Sequence, residues 1–528
     1  MYHRGAEIQM MPACGRPETC TKPLRKMIGK NGLSCDATAA QRSPHEGTRT
    51  RRYACLMMPA NTLVNDVHSG LNATNVCGIH QPISIDALRE VIMLAASRGE
   101  SVAVCGSRHA MGGQQFLSNA QLIDMRSLSR VIALDMERGL LTVEAGIQWP
   151  ALIEGAHALQ RARAPTQEPH WGIAQKQTGA DALTLGGALS ANAHGRGLTM
   201  PPIVHDVESF TLIDARGASV LCSRSDNAEL FSLAIGGYGL FGVIVTITLR
   251  LCPRVAVRRV VRMIDIDDAA NAARRRVEAG FLYGDFQFDI DPNSPEFLTK
   301  GVFSCYQPVV GATVPDAAHE LAPEDWERLL LLAHIDKNEA FRRYAQHYVA
   351  TDGQLYWSDT HQLGVYLDGY HERLDAIMHA PCKASEMITE IYVPHERLID
   401  LLHAAAQMLT QRGAEVIYGT IRLIKADCES FLPWAKADYA CVIFNLHVHH
   451  SPAGLTHAAD SFRALIDLAL VRGGSFFLTY HRYATRAQLL TAYPMLPAFL
   501  AKKDAYDPAH VFSSDWHRAL RATLCEDA

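Results

Sequence analysis

The chain is 528 residues long and has thirteen cysteines but no CxxC pair among them. Their scatter and odd number argue against both a disulfide framework and a structural zinc site. They read as reduced thiols in a cytoplasmic protein. No apolar run is long enough to span a bilayer. The net charge of only -5, with a pI near 6.6, argues against nucleic acid as the main partner. No internal repeat or low-complexity tract is evident. What remains, 48% hydrophobic and 20% charged residues, is a globular composition, and the length calls for two or more domains.

Residues 1–52 stand apart. They carry ten Lys/Arg between Arg4 and Arg52, against Glu7, Glu18, Asp36 and Glu46. With no periodicity and no apolar signal core, 1–56 reads as a basic, disordered extension. A transit peptide, or a true start at Met57 or Met58, are the other readings. Regular patterning begins near residue 75. Ser84 is a good N-cap for a helix that places Ile85, Leu88, Val91, Ile92 and Ala95 on one face and stops at Gly99. Strands are expected at 101–106, 121–125, 131–135 and 140–146, with a helix at 148–163. "VESFTLIDARGASVLC" has the form of a hairpin. Further strands are expected at 387–393, 416–424 and 440–448, separated by helices at 395–412 and 458–472. The class is α+β.

Two glycine loops each carry a histidine: "CGSRHAMGGQQF" (105–116) with His109, and "TLGGALSANAHGRG" (184–197) with His194. Successive N–H groups in such turns make anion-binding concavities suited to a pyrophosphate. A third set, Gly237, Gly239 and Gly242, has dinucleotide spacing. That fingerprint needs a following helix, whereas VIVTITLRL is β-branched and alternating, and so a strand. These glycines therefore serve a tight turn or a close backbone approach.

Taken together and in order, these motifs resemble the vanillyl-alcohol oxidase / p-cresol methylhydroxylase (PCMH-type) family of FAD-binding oxidoreductases. "LTLGGALSANAHGRG" is similar to its "TVGGAIATGTHG" signature, and "GGYGLFGVIVTITLRLCP" to its closing run. The tail "YDPAHVFSSDWHRAL" is similar to the aldonolactone, alditol and decaprenyl-phosphoryl-ribose oxidase branches. The resemblance implies a PCMH-type two-subdomain FAD-binding domain at 71–254 and an α+β substrate (cap) domain at 255–485. A C-terminal segment, 486–528, would return to the FAD domain. It implies FAD contacts from Gly106, Ser107, Arg108, His109, Ala110, Gly112 and Gly113. From the second loop it implies Gly186, Gly187, Asn192, His194 and Gly195, and from the closing turn Gly242 and Val243. His109 matches the histidine that many members bond to the flavin 8α-methyl carbon; other members hold FAD without that bond. "WGIAQKQTGADALTLGG" has no cysteine for a second link. Arg126 falls at a position that oxidases often keep small, which leaves oxygen or another acceptor open.

Flavin dehydrogenation needs a hydride aimed at N5 and a group to take a hydroxyl or amine proton. The resemblance assigns Arg422 to a substrate-contacting arginine; the acid found two positions earlier in the alditol branch is Thr420 here. In "NLHVHH", Asn445, His447 and His449 share one strand face. They would line a pocket, bind a metal or lie exposed. His447 is a candidate proton acceptor, and no acidic or cysteine partner lies nearby in sequence to complete a metal set. "FLTYHR" stands where relatives place a lysine or another active-site residue, making Tyr480 and His481 further candidates; Glu390 and Trp434 have weaker support. The function implied is removal of a hydride from a CH–OH group of a small, sugar-like substrate. The alternatives are a dehydrogenase acting on CH–NH or not using oxygen, a metal-dependent hydrolase, and a flavin-fold binding protein without turnover. No metal ligand set is assigned, and the oligomeric state is left open.

Overall fold

Ser84 accepts a hydrogen bond from the Ala87 N–H and so opens the helix Ile85–Ser97, whose Leu88, Val91, Ile92 and Ala95 are buried. This helix links strand Gly78–Gln81 to strand Val102–Cys105, and the next strand, Gln121–Asp124, inserts between the two. Both new pairings are parallel, so the first glycine loop leaves the sheet at the carboxyl end of Val102–Cys105. In α/β sheets such ends carry ligand crevices. The structure is a computed structural model that describes residues 56–57, 62–177, 181–316, 319–364, 367 and 369–525. Apart from the backbone of Leu56, the expected basic extension lies outside the described residues.

A second, antiparallel sheet follows the expected strands closely. Val131–Asp135, Leu140–Glu144, Val243–Pro253, Val207–Ile213 and Ser219–Ser223 lie side by side, with Trp171–Ile173 added to the long Val243–Pro253 strand. The hairpin turns at Asp214, whose Oδ1 accepts from the N–H groups of Arg216 and Ala218. The run after Gly242 is strand, as its β-branched residues require.

The third sheet has eight antiparallel strands within residues 256–476. At its centre Tyr283–Phe288, Val416–Ile424, Tyr439–His449 and Ala384–Pro394 are neighbours. The aperiodic stretch 290–380 contains the helices Pro323–Ile335, Lys337–Ala350 and Tyr370–Met378. In Pro323–Ile335 only Ala333 is buried, so no amphipathic stripe announces the helix.

The C-terminal segment closes on the first sheet. The Val102 N–H donates to Val511 O at 2.7 Å, and Ser118 Oγ donates to Asp515 Oδ2 at 2.7 Å. Asp507 organises this return: its two oxygens accept from the N–H groups of Val511 and Phe512 and from Lys503 Nζ. The Lys503 and Asp507 side chains are both fully buried. Removing one partner of such a pair strands the other charge in a medium that cannot solvate it. Asp507→Ala should therefore cost about 3–5 kcal/mol in a denaturant titration. Asp504→Ala, at a half-exposed carboxylate, should cost about 0–1 kcal/mol.

Candidate active site

The two glycine loops meet because one of them lacks a side chain. A Cβ on Gly106 would lie 2.0 Å from Thr184 Oγ1. Gln148 clamps the pair, donating from Nε2 to Ser107 Oγ at 3.0 Å and to Ala182 O at 2.8 Å. The second loop is pinned by its own backbone: Leu185 N–H donates to Ile147 O and Gly186 N–H to Ala145 O. Beside them Gly239 takes φ +74°, with no atom within 4 Å of where a Cβ would stand.

These loops form one end of a cavity of about 1550 Å³ whose other walls come from the eight-stranded sheet and the helices over it. That exceeds the volume of about 300–1,000 Å³ typical of a single small ligand, which leaves room for a dinucleotide and a substrate together. Of the expected cofactor residues, Gly106, Ser107, Arg108, His109, Ala110, Gly186, Gly187, Gly242 and Val243 line it. The remaining five, Gly112, Gly113, Asn192, His194 and Gly195, do not, and they are engaged with other parts of the chain. Gly112 N–H donates to Thr479 O, and Gly113 continues that turn at φ +76°. Asn192 Nδ2 donates to Asp427 Oδ2 at 2.7 Å, Gly195 N–H donates to Gln175 Oε1, and His194 reaches Glu390. Arg126 likewise turns to Asp124, 2.5 Å away, rather than to the cavity.

At the sheet end, strand register gathers side chains far apart in sequence. Tyr418 stands opposite Asn445 and Arg422 opposite Cys441, while Ile388 faces Asn445 and Glu390 faces Ile443. Because alternate residues share a face, Arg422, Asn445, Tyr418, Glu390 and Gln287 all reach the cavity lining. Thr420 does not: its hydroxyl donates to Phe286 O at 3.2 Å.

Glu390 is the most heavily committed group. It accepts from the Tyr480 hydroxyl at 2.7 Å, from the Tyr392 hydroxyl at 2.7 Å, and lies 2.9 Å from His194 Nε2. Burial pushes this carboxyl up, but His194, the Tyr480 hydroxyl and Arg422 outweigh it and hold the group at about 2. Burial and the Glu390 charge keep the Tyr480 hydroxyl protonated, with its pKa well above the ordinary range. Trp434 stacks on Tyr392 and donates to Asn192 O; it supports the node without lining the cavity.

Two of the four sequence-nominated catalytic residues, Arg422 and Tyr480, line the cavity, and two do not. His481 is buried against Phe462 with Nε2 3.2 Å from Thr389 Oγ1, and burial lowers it to about 3. His447 turns to Glu386, 3.4 Å away. The residues that sequence reasoning missed are Gln287, Tyr418 and Gln177. For Gln287 and Tyr418 the only signal is strand phase, which becomes readable once the pairing partner is known; Gln177 lies in a loop and has none.

The cavity's polar groups suit a flavin dinucleotide with a polar substrate. At the loop end, Arg108 Nε and Gln115 Oε1 are buried without a hydrogen-bond partner; at the sheet end the same holds for Arg422 Nε, Asn445 Oδ1 and Gln287 Oε1. Buried polar atoms left unpaired are rare in folded proteins, and the five residues that carry these line the cavity.

Comparison with known proteins agrees with this arrangement. Residues 78–223 match the family described as "FAD binding domain", and residues 354–520 match "D-arabinono-1,4-lactone oxidase". These two regions resemble the aldonolactone branch of the PCMH-type FAD-binding oxidoreductases. The cofactor of the flavoprotein is FAD. The chain is 33% identical to the L-gulonolactone oxidase of Bos taurus over 33% of this chain and 37% of that protein. It is 24% identical to the L-gulono-1,4-lactone dehydrogenase of Mycobacterium tuberculosis over 84% of this chain and 95% of that protein. It is 26% identical to the mitochondrial L-galactono-1,4-lactone dehydrogenase of Brassica oleracea over 44% of this chain and 38% of that one. The matches to the mammalian oxidases thus span a little over a third of their length. No helix among the described residues is long and apolar enough to cross a membrane.

The Glu390 carboxyl lies below its ordinary value of 4.5. Its stabilising effect is therefore complete above pH 4.5 and is lost as the pH falls toward 2. Glu390→Gln of the flavoprotein should lose about 3 kcal/mol at pH 7, and the gap to the parent should narrow in urea titrations taken from pH 7 to 3.5. A gap independent of pH would show that the carboxylate charge is not what stabilises the node.

Proposed function

We propose that the protein is an FAD-dependent oxidoreductase that removes a hydride from a CH–OH group of a small sugar lactone or related polyol. The electrons would pass on to oxygen or to another acceptor. The observation carrying this reading is that the polar side chains Arg422, Asn445, Tyr418 and Gln287 of the sheet wall line the same cavity as the two glycine loops. In this reading 71–254 is the FAD domain, 255–485 the substrate domain and 486–528 the segment closing on the former. The cavity-lining residues of the two loops hold FAD, with His109 the candidate attachment point. FAD, when bound, supplies the hydride acceptor.

The chain's own residues supply the rest. Arg422 is donor-only, and Asn445 Oδ1 and Gln287 Oε1 are acceptors, an inventory that matches an oxygen-rich substrate bearing hydroxyls and a carbonyl. The Tyr480 hydroxyl donates to Glu390 Oε1 at 2.7 Å and accepts from Gln177 Nε2 at 3.4 Å, which leaves a lone pair for a further donor such as a substrate hydroxyl. Glu390 acts through Tyr480 and is a positioning residue. His447 and His481 have no part in this reading. A cytoplasmic location is part of this reading, on the scatter and odd number of the cysteines in the sequence.

The purified protein should be yellow. After acid precipitation the colour should stay with the pellet if His109 carries the flavin, and His109→Ala should release it to the supernatant. Under anaerobic conditions L-gulono-1,4-lactone or L-galactono-1,4-lactone should bleach the flavin. Arg422→Ala should lower kcat/KM roughly 10²–10³-fold, as loss of one preorganised donor does elsewhere. A flavin that no aldonolactone or alditol reduces would sink the activity, while leaving the cofactor assignment standing.

A further inference from the structure

Farther along the same sheet face as the substrate wall lies a second cluster that the flavin chemistry does not use. Register places Glu386 directly opposite His447 on the neighbouring strand. Helix Pro323–Ile335 brings His334 Nε2 to 2.9 Å from Glu386 Oε1, and His447 Nδ1 lies 3.4 Å from that same oxygen. His371 Nδ1 lies 2.7 Å from Glu386 Oε2, which also accepts from the Tyr370 hydroxyl. The side chains of His334, Glu386 and His447 are 0%, 3% and 5% exposed.

We propose that His334 Nε2, His447 Nδ1 and Glu386 Oε1 form a binding site for a divalent first-row transition-metal ion. Metal–ligand bonds of about 2.0–2.2 Å at tetrahedral angles put neighbouring ligand atoms about 3.3 Å apart. The observed separations are 2.9 and 3.4 Å, and all three ligand atoms lie within 4.8 Å of one another. His334 is held as a ligand is held: its Nδ1 is 2.7 Å from Leu330 O, which fixes the proton there and leaves the Nε2 lone pair facing the carboxylate. That lone pair meets acceptor oxygens unless a cation lies between them. A second proton on His334 would serve, and so would a metal. Two imidazoles and one carboxylate select a transition ion over calcium or magnesium. His371 and Glu386 also line the large cavity, so a further coordination position would open toward it. The other cluster of this kind, His194, Glu390 and Cys441, is already satisfied within the Glu390 node, and burial keeps the Cys441 thiol protonated.

The test uses the flavin-loaded full chain, freed of metal by chelator and gel-filtered after exposure to Zn²⁺. One equivalent should remain by elemental analysis. One equivalent of Cu²⁺ should give an EPR spectrum with nitrogen coupling from imidazole. His334→Ala and His447→Ala should weaken binding at least 100-fold, and Glu386→Gln at least 10-fold. The exposed His403→Ala should bind like the parent, and an unchanged flavin spectrum would show that each variant is folded. If the parent retains no metal, or if the three cluster variants retain as much as the parent, the site is refuted and His334 is a protonated partner of Glu386. Because the readout is metal content, failure here leaves the proposed oxidoreductase activity untouched, and the reverse also holds.

Discussion

The structure depends on one buried carboxylate. Glu390 sits midway along Ala384–Pro394, the last but one strand of the large sheet, and its partners arrive from three directions: His194 from the second glycine loop, Tyr392 from its own strand, and Tyr480 from the segment beyond the sheet. A buried charge survives only when its lone pairs are met by donors. The folding of each of these segments is thereby conditional on the others. The Tyr480 segment is in turn tied to the first glycine loop, through Thr479 O and Leu478 O, which accept from Met111, Gly112 and Gln114. Through this chain of contacts both cofactor loops are registered against the substrate wall, and the width of the cavity is set by hydrogen bonds.

This arrangement explains a division of labour within each loop. Residues 106–110 and 114–115 of the first loop and 186–188 and 190–191 of the second line the cavity, whereas 112–113 and 192–195 do not and hold other parts of the chain. A loop motif in sequence does not distinguish the two sets, because both need small residues and unusual backbone angles. Asn192 at φ 51° and Gly113 at φ 76° have the same local signature as a phosphate-wrapping turn, yet they serve packing.

The legibility of the sequence follows the same physics. The helix at Ile85–Ser97, the hairpin at 207–223 and the strand after Gly242 were readable because capping, turn chemistry and β-branching act over a few residues. The site's polar wall was only partly readable. Arg422 and Asn445 could be placed on strand faces, but their neighbours Gln287 and Tyr418 come from pairings that no local pattern encodes. His447 illustrates the limit best. A search of its neighbourhood in sequence finds no acidic partner, while register puts Glu386 directly across the ladder, 61 positions away. The helices over the cavity were illegible for another reason. Pro323–Ile335 turns Trp326, Leu329 and Leu330 toward the ligand space rather than into a dry core, so its apolar residues carry no clean burial period.

The resemblance sets Thr420 where the alditol branch carries an acid, and the Tyr480 segment where relatives carry a lysine or another active-site residue. Thr420 then satisfies itself on Phe286 O, and Tyr480, neutral and a donor, settles on Glu390. Arg422 and Glu390 thus reach the cavity from one face of the sheet, a guanidinium and a carboxylate in the same wall, and the carboxylate is already met by His194, Tyr392 and Tyr480.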